Sequence, residues 1–175
     1  MNSLVLVGYR GSGKSCLGRL LARDLGLQFV DLDGVIEQRS GRSIQELFPA
    51  IGEADFRAME SDCLAEVMEQ QGVVVASGGG AVLAAENRRR IQRADRVIYL
   101  QVEVDELIRR LQSGARRPPL TSLSFEQEVR QLVEVRDPLY REVADVVLAV
   151  LSGEDETGTL SRLRTALGLD GEGER

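Results

Sequence analysis

A glycine-rich motif near the start of the chain has the residue types that bind phosphate. It reads Gly8-Tyr9-Arg10-Gly11-Ser12-Gly13-Lys14-Ser15 and lies between an apolar run and a helical pattern. Glycines let the backbone curl until several amide hydrogens point at one phosphate, and the positive end of the following helix strengthens the attraction. The lysine bridges the β- and γ-phosphates, and the last serine hydroxyl is a hard oxygen ligand for Mg²⁺. The motif therefore predicts a nucleoside triphosphate site rather than a simple turn.

Two carboxylates follow the second apolar run of the chain, at Asp31 and Asp33. In a segment that leads from a strand into a loop, both would reach the crevice that holds the phosphates. One can hold Mg²⁺, usually through a water, while the other accepts a hydrogen bond from a substrate hydroxyl and orients or deprotonates it. The alternative is that the two side chains only cap a helix that starts near Gly34.

Three consecutive glycines, Gly78, Gly79 and Gly80, follow the third apolar run. Glycines in a row destabilise a chain unless its backbone must approach a ligand closely, and their exposed amides can then grip oxygen atoms. A loop or a tight helix cap is the alternative interpretation. Their place after a central strand favours a functional role.

Two arginines are candidates for binding a carboxylate. Arg57 is spaced to pair with Glu60, and Arg136 comes shortly before Pro138, where we expect the helix to end because proline disfavours helical geometry in the preceding residue. Guanidinium groups can bind a carboxylate in bidentate fashion. Pairs with such spacing are most often surface ion pairs, which is the alternative.

The segment 113–124 is interpreted as a mobile lid, because it combines glycine, two arginines and two prolines between helical stretches. Its arginines, Arg116 and Arg117, would close over the triphosphate and neutralise charge on the transferred phosphoryl group. Loop arginines are commonly only solvated, and spacing favours neither interpretation.

Apolar runs of strand length predict the elements that position these residues. They occur at 4–7, 28–30, 73–76, 97–100 and 146–150, and helical spacing fills much of the chain between them. Continuous apolar runs are typical of parallel strands covered on both faces, so we expect an α/β doubly wound sheet with ligands at the carboxyl ends of its strands. Helices are predicted at 13–25, at 43–70 with an interruption near 49–52, at 104–111 and at 125–140.

The composition limits the class of protein. With 175 residues, 43% of them hydrophobic, the chain is expected to form one domain, at 1–170, with a tail at 171–175. Its net charge of −6 argues against nucleic acid or an anionic membrane as its target. Two cysteines and no histidine exclude a histidine-dependent triad and disfavour a disulfide framework or a zinc site. We expect a cytoplasmic monomer without a signal or transit peptide.

The ordered series of motifs resembles the shikimate kinases over nearly the whole chain, from residue 4 to about 150. The series is Gly8 to Ser15, Asp31-Leu32-Asp33, Ile36-Glu37, Gly41-Arg42-Ser43-Ile44, Gly52-Glu53, Phe56-Arg57, Glu60, Gly78-Gly79-Gly80, Arg117-Pro118, and Arg136 with Pro138 and Tyr140. The resemblance implies transfer of the γ-phosphoryl group of ATP to the 3-hydroxyl of shikimate, with Mg²⁺, in the biosynthesis of chorismate and aromatic amino acids. It also implies a nucleoside-monophosphate-kinase-like P-loop fold with strand order 2-3-1-4-5, a substrate-binding region at about 32–60 and a lid at about 112–125.

The resemblance also implies roles for individual residues. Catalysis would involve Lys14, Asp33 and Arg117. Shikimate would contact Asp33, Arg57, Gly78, Gly79, Gly80 and Arg136, and Glu60 would orient the two arginines. The nucleotide would contact Gly11, Ser12, Gly13, Lys14, Ser15, Cys16, Arg117 and one arginine near the start of the lid, Arg110 or Arg109. Ser15 and Asp31 would serve the metal.

The sequence departs from the family at two positions. Pro119 stands where leucine is more frequent, and we expect it to stiffen the lid. Cys16 stands where threonine or serine is usual, and a thiol at a helix N-terminus can have a lowered pKa. We therefore hypothesise that Cys16 is alkylated readily and is protected by nucleotide, with an inert thiol as the alternative. Cys63 is interpreted as a packing residue.

Two rival functions are compatible with part of this series of motifs. Another small-molecule kinase with the same fold, such as a gluconate kinase, would share the phosphate motif but lack the combination of Asp33, Arg57 and Arg136. A regulatory module that uses ATP as a switch would have no need of Lys14, Asp31 and Asp33.

Overall fold

A five-stranded parallel sheet forms the centre of the protein. In the computed structural model, which describes residues 3–112 and 123–169, the strands are β1 (Ser3–Val7), β2 (Gln28–Asp31), β3 (Val73–Ala76), β4 (Arg96–Val102) and β5 (Val146–Val150). Their order is β2-β3-β1-β4-β5, and every neighbouring pair is parallel. The predicted α/β fold class and strand order are thereby confirmed. The order reverses at β1, so the carboxyl end of that strand is the expected ligand site.

Helices connect the strands and cover the sheet. They are α1 (Lys14–Leu25), α2 (Leu32–Ser40), α3 (Ile44–Met68), α4 (Ala85–Ile91), α5 (Val104–Gln112), α6 (Phe125–Val143) and α7 (Glu156–Leu167). The two longest begin at serines whose side chains form capping boxes, Ser43 for α3 and Ser124 for α6. Gly26 and Gly41 end α1 and α2 in the left-handed conformation that glycine adopts without strain.

Alternate residues of the central strands enter two separate hydrophobic cores. In β1, Val5 and Val7 pack into one core with side chains of α3 and α6, whereas Leu4 and Leu6 pack into the other with side chains of α1 and α7. All four are fully buried. Burial on both faces is the reason that these strands are continuously apolar, as the sequence predicts. Within the described ranges, no helix combines the length and hydrophobicity needed to cross a membrane.

Two helices contain an irregular position, and only one of them was predicted correctly. The interruption predicted in α3 is present, because Gly52 has φ of 81° and ψ of 170° and kinks the helix. The prediction that α6 ends at Pro138 is wrong, since the helix continues to Val143. Proline costs about 3 kcal/mol inside a helix, but the turn that follows is fixed by Tyr140, which is fully buried. Tertiary packing therefore outweighs the local preference. The lid predicted at 112–125 lies largely outside the described residues.

Candidate functional site

The phosphate motif forms an open loop between β1 and α1. Gly8, Gly11 and Gly13 have φ of 145°, 78° and 95°, backbone conformations that other residues rarely adopt. The loop ends at Lys14, the first residue of α1. Its Nζ donates hydrogen bonds to the backbone oxygens of Gly8 at 2.8 Å and Tyr9 at 2.9 Å. The lysine therefore spans its own loop and lies where it can bridge phosphates.

Ser15 and Asp31 meet beside this loop. The Ser15 hydroxyl donates to Oδ2 of Asp31 at 2.6 Å, and Oδ1 of the same carboxylate accepts from the backbone nitrogen of Asp33 at 3.2 Å. Asp31 thus caps α2, as the alternative interpretation predicts, and it also faces the phosphate motif, while its service to a metal stays a prediction. A hydroxyl and a carboxylate are hard oxygen donors of the kind that Mg²⁺ prefers, and the pair fits that ion.

Three cavities adjoin one another at the carboxyl edge of the sheet. The middle one, of about 790 Å³, is lined by the phosphate loop together with Asp31 and Asp33, and we call it the phosphate cleft. On one side it shares Arg10, Asp33 and Gly79 with a cavity of about 590 Å³, the acceptor pocket. On the other it shares Gly13 and Cys16 with a cavity of about 660 Å³, the base pocket. A nucleotide and a second substrate can therefore meet at Asp33.

The acceptor pocket combines an apolar wall with a cluster of guanidinium groups. The apolar wall consists of Ile44, Phe48 and Phe56. The centroids of the two phenyl rings are 5.1 Å apart. Arg10, Arg57 and Arg136 face the same space. Such a lining suits a small anion with an apolar ring.

The three guanidinium groups carry unsatisfied hydrogen-bond donors. Among the described residues, the buried side-chain nitrogen and oxygen atoms without a hydrogen-bond partner are the Nε atoms of Arg10, Arg57 and Arg136. Arg57 Nε lies 3.5 Å from a carboxylate oxygen of Glu53, close enough for charge attraction only. Buried donors without partners are costly in a folded protein. The three guanidinium groups around one pocket indicate an anionic ligand.

Glu60 holds Arg57 in this pocket. Its side chain is 2% exposed, and its Oε2 accepts from a terminal nitrogen of Arg57 at 2.7 Å. Burial raises the pKa of the Glu60 carboxyl, although the neighbouring Arg57 and Arg136 oppose the change. Glu60 thus contacts Arg57, as the spacing predicts, whereas its orientation of Arg136 stays a prediction.

The glycine run makes room for these side chains. A Cβ at Gly78 would overlap a carboxylate oxygen of Glu60, and one at Gly80 would overlap the Arg57 guanidinium. At Gly79 the added atom would lie 3.1 Å from the backbone nitrogen of Arg10. None of the three has a positive φ. Glycine is therefore needed at these positions because a side chain would crowd the neighbouring groups. The sequence alone did not indicate this reason.

Arg136 and Tyr140 anchor α6 to the glycine run. A terminal nitrogen of Arg136 donates to the backbone oxygen of Gly79 at 3.3 Å, and the Tyr140 hydroxyl donates to the same oxygen at 2.5 Å. Burial raises the pKa of the Tyr140 hydroxyl, which keeps it a donor. The carbonyl of Gly79 thus faces α6.

The base pocket lies between the phosphate loop and the loop that joins β5 to α7. Its lining includes Ser12 and Arg110 on one side and Glu154 and Glu156 on the other. Arg110 reaches the backbone oxygen of Gly11 at 3.4 Å. The other candidate, Arg109, is 70% exposed and does not line this pocket. The structure therefore brings Arg110, and not Arg109, to the pocket.

The surroundings of Cys16 do not favour the lowered thiol pKa that the sequence analysis expects. Burial and the adjacent carboxylate of Glu156 raise the pKa of its thiol, and the two groups are 3.6 Å apart. The expected lowering of that pKa is wrong, because the negative charge of Glu156 opposes the helix terminus. Cys63 is fully buried, in agreement with a packing role.

Sequence reasoning missed part of the site. Tyr9 and Arg10 lie in the acceptor pocket, and their position inside the phosphate motif was the available signal. The loop after β5 has no motif, so nothing indicated that Glu154 and Glu156 would line the base pocket. Arg117, predicted to be catalytic, lies outside the described residues, as does Arg116.

A parallel sheet of this order, a phosphate loop and a facing acceptor pocket define a P-loop kinase that acts on a small molecule. A family model described as "Shikimate kinase" matches residues 10–160. The chain belongs to the shikimate kinase family.

Individual relatives and solved structures agree with this membership. A shikimate kinase from Pseudomonas syringae pv. tomato is 44% identical over 148 residues, which cover 85% of this chain and 86% of the relative. One from Methylococcus capsulatus is 39% identical over 175 residues, covering 93% and 97%. A solved structure of shikimate kinase from Acinetobacter baumannii in complex with shikimate has a TM-score of 0.87 and 34% identity, covering 99% of this chain and 96% of the other.

Proposed function

We propose that this chain transfers the γ-phosphoryl group of ATP to the 3-hydroxyl of shikimate, giving shikimate 3-phosphate and ADP. The observation that carries the proposal is the acceptor pocket, where Arg10, Arg57 and Arg136 and an apolar wall lie beside Asp33. Shikimate offers a carboxylate to the arginines, a carbocyclic ring to the wall and hydroxyls to the aspartate. The reaction would supply a step in chorismate and aromatic amino-acid biosynthesis.

The proposed roles follow from the positions of the side chains. Arg57 and Arg136 bind the carboxylate, and Asp33, which lines both the acceptor pocket and the phosphate cleft, accepts a hydrogen bond from the attacking hydroxyl. Lys14 leaves the carbonyls of its own loop to bridge the β- and γ-phosphates. This division of work suits phosphoryl transfer, in which positioning and charge stabilisation lower most of the barrier.

Mg²⁺ belongs to the proposal, with Ser15 as its ligand and Asp31 beside it. The ion would neutralise phosphate charge during transfer. The Ser15 hydroxyl donates its hydrogen to Asp31 at 2.6 Å, so its oxygen lone pairs would be available to the ion. The base pocket would hold adenine next to Arg110, and Gly11, Ser12, Gly13 and Cys16 would line the path of the phosphates.

We propose one domain at 1–170, a monomer that works in the cytoplasm, and a small-molecule substrate rather than nucleic acid or membrane. The negative net charge of −6 supports the last point. Arg117 would close over the triphosphate as part of a lid, a role that rests on the family resemblance.

The test is ADP release by the purified chain with ATP and Mg²⁺, compared between shikimate, gluconate and no acceptor. We expect strong dependence on shikimate, and ³¹P and ¹H NMR of the product should place the phosphate on the 3-oxygen. Asp33→Asn should lower kcat at least about 100-fold, because an amide cannot accept the proton and binds the hydroxyl less strongly. Asp55→Asn, an exposed change on α3, is the matched control.

Other outcomes would contradict specific parts of the proposal. Turnover on gluconate but not on shikimate would reassign the acceptor. ATP binding without turnover on any acceptor would favour a nucleotide-dependent switch. Near-normal kcat in Asp33→Asn would remove the role given to that carboxylate.

A further inference from the structure

A covered carboxylate on α5 lies behind the base pocket without lining it. The Glu106 side chain is 8% exposed. It accepts two hydrogen bonds from Arg109 at 2.7 Å and one from Nε of Arg110 at 2.6 Å. These bonds lower the pKa of the Glu106 carboxyl to about 2, so the group is charged at physiological pH. Glu106 therefore acts in the folded protein as a charged carboxylate.

Glu106 connects the two walls of the base pocket. On the side of the phosphate loop, the Arg110 that it holds donates to the backbone oxygen of Gly11 at 3.4 Å. The next residue, Leu111, packs directly against Gly11. On the opposite side, the Ser152 hydroxyl donates to Oε2 of Glu106 at 3.4 Å. Ser152 lies in the loop that joins β5 to α7. In the sequence it stands between Val150 and Glu154, which both line the pocket.

The contacts of Glu106 exceed those of an ordinary helix ion pair. Exposed pairs three or four residues apart contribute little, because water solvates both partners and each keeps several rotamers. Glu106 is instead covered, its two oxygens receive four donors, and one donor comes from 46 residues away in sequence. An arginine held in this way is ordered before a ligand arrives, so ligand binding need not order it.

We propose that Glu106 is a positioning residue for the nucleotide, which fixes Arg110 at the edge of the base pocket and ties the loop of Ser152 to α5. The inference rests on the proposed function, because it takes the base pocket to hold the base of ATP. Glu106 acts through Arg110 and Ser152. It contacts neither the acceptor pocket nor the reacting groups.

The experiment measures ADP binding by calorimetry and steady-state kinetics in wild type and in Glu106→Gln. We expect the Kd for ADP and the KM for ATP to rise about tenfold, a modest effect for a positioning contact. The KM for shikimate and kcat at saturating ATP should stay within about twofold. Asp105→Asn is the matched control, because that neighbouring carboxylate is 83% exposed and pairs with Arg130 on the surface. Its nucleotide affinity should not change.

A double-mutant cycle with Arg110→Met tests the route of the effect. If Glu106 acts through Arg110, adding Glu106→Gln to Arg110→Met should weaken ADP binding much less than it does in wild type. Losses that add fully would overturn the proposal, as would wild-type ADP affinity in Glu106→Gln. A parallel loss of shikimate affinity would also overturn it, since that pattern indicates general damage to the fold.

Two further variants keep the test decisive if Glu106→Gln does not fold. Glu106→Asp keeps the charge but is too short to hold both partners, and Ser152→Ala removes only the link to the loop. Each should raise the Kd for ADP, and unchanged values in both would overturn the proposal. Wild-type protein that binds ADP but does not phosphorylate shikimate would refute the proposed acceptor and leave this inference intact. Absence of ADP binding would refute both.

Discussion

At the scale of single residues, the acceptor pocket depends on glycines that yield space to charged side chains. Gly80 has φ of −104°, which any residue can adopt, but a Cβ there would overlap the guanidinium of Arg57. Arg57 is long and flexible, so it can move aside without a change in the backbone, although it then loses its hydrogen bond to Glu60. Gly80→Ala should therefore fold normally while raising the KM for shikimate at least about tenfold, with little change in the KM for ATP.

Gly34→Ala is the matched control for that variant. Gly34 lies inside α2, and the nearest atom to an added Cβ, on Asp31, is at an ordinary contact distance of 3.8 Å. The change should stabilise the helix by about 0.5–1 kcal/mol and leave both KM values unchanged. If Gly80→Ala retained wild-type affinity for shikimate, Arg57 would not be the group that binds its carboxylate.

The raised pKa of the Cys16 thiol leads to a second prediction about a single residue. Because burial and Glu156 raise that pKa, alkylation by iodoacetamide should be slow at pH 7 and should still accelerate above pH 9. Glu156→Gln should speed the reaction, since the repelling charge is gone. Cys63 is fully buried and serves as the internal control, because native protein should take up one label only. Mass spectrometry with and without ADP measures both effects.

Either of two outcomes would contradict this account of Cys16. Alkylation at pH 7 faster than that of a free cysteine would indicate a lowered pKa. Equal labelling with and without ADP would show that the thiol lies away from bound nucleotide, although it lines both the phosphate cleft and the base pocket.

At the scale of secondary structure, α6 links the core to the glycine run. The hydroxyl of Tyr140 and one nitrogen of Arg136 share the backbone oxygen of Gly79. Tyr140→Phe should lower the free energy of unfolding by about 1–2 kcal/mol, because a buried carbonyl loses its shorter hydrogen bond. It should also raise the KM for shikimate several-fold, since Arg136 is then positioned less firmly. Thermal unfolding and steady-state kinetics measure the two effects.

Tyr99→Phe provides the comparison for Tyr140→Phe. The two rings are neighbours, with centroids 5.0 Å apart, but the Tyr99 hydroxyl donates to Asp137 at 2.8 Å and does not line the acceptor pocket. Loss of the Tyr99 hydroxyl should lower the free energy of unfolding and leave the KM values for shikimate and ATP unchanged. An equal change in KM in the two variants would mean that Tyr140 acts only through stability.

The helices also show where local sequence information ends. Continuous apolar runs predict β1 and β3 to within one residue, because burial on both faces leaves that pattern in the sequence itself. The end of α6 could not be predicted from Pro138, because buried Tyr140 continues the helix. The start of α2 at Leu32, two residues before the expected position, follows from the Asp31 cap.

The candidate site divides in the same way. The phosphate loop, the paired aspartates and Arg57 with Glu60 are local patterns, and the sequence could place each of them. The base pocket joins α5 to the loop after β5, and the hydrogen bond between Glu106 and Ser152 spans 46 residues. Spacing within one helix contains no information about such a contact. Three-dimensional packing alone brings these residues together.

At the scale of the whole molecule, two carboxylates should make stability depend on pH in opposite directions. Glu60 has a raised pKa in the folded protein because it is buried. Folding therefore favours its protonated form, and its contribution is complete below the ordinary pKa of about 4.3 and declines as pH rises through the folded value. Glu106, with a folded pKa of about 2, contributes stability above the ordinary pKa that is lost as pH falls.

Two isosteric variants separate these contributions in chemical unfolding measured from pH 3 to pH 8. Relative to wild type, Glu60→Gln should gain stability as pH rises above about 4.3, because it lacks the buried charge that wild type must ionise. Its side-chain oxygen can still accept from Arg57. Glu106→Gln should be less stable than wild type at neutral pH, and that deficit should shrink as pH falls towards 3, where wild-type Glu106 loses part of its advantage. If both difference curves were flat, neither carboxylate would have a pKa changed by folding, and the burial of Glu60 beside Arg57 would carry no electrostatic cost.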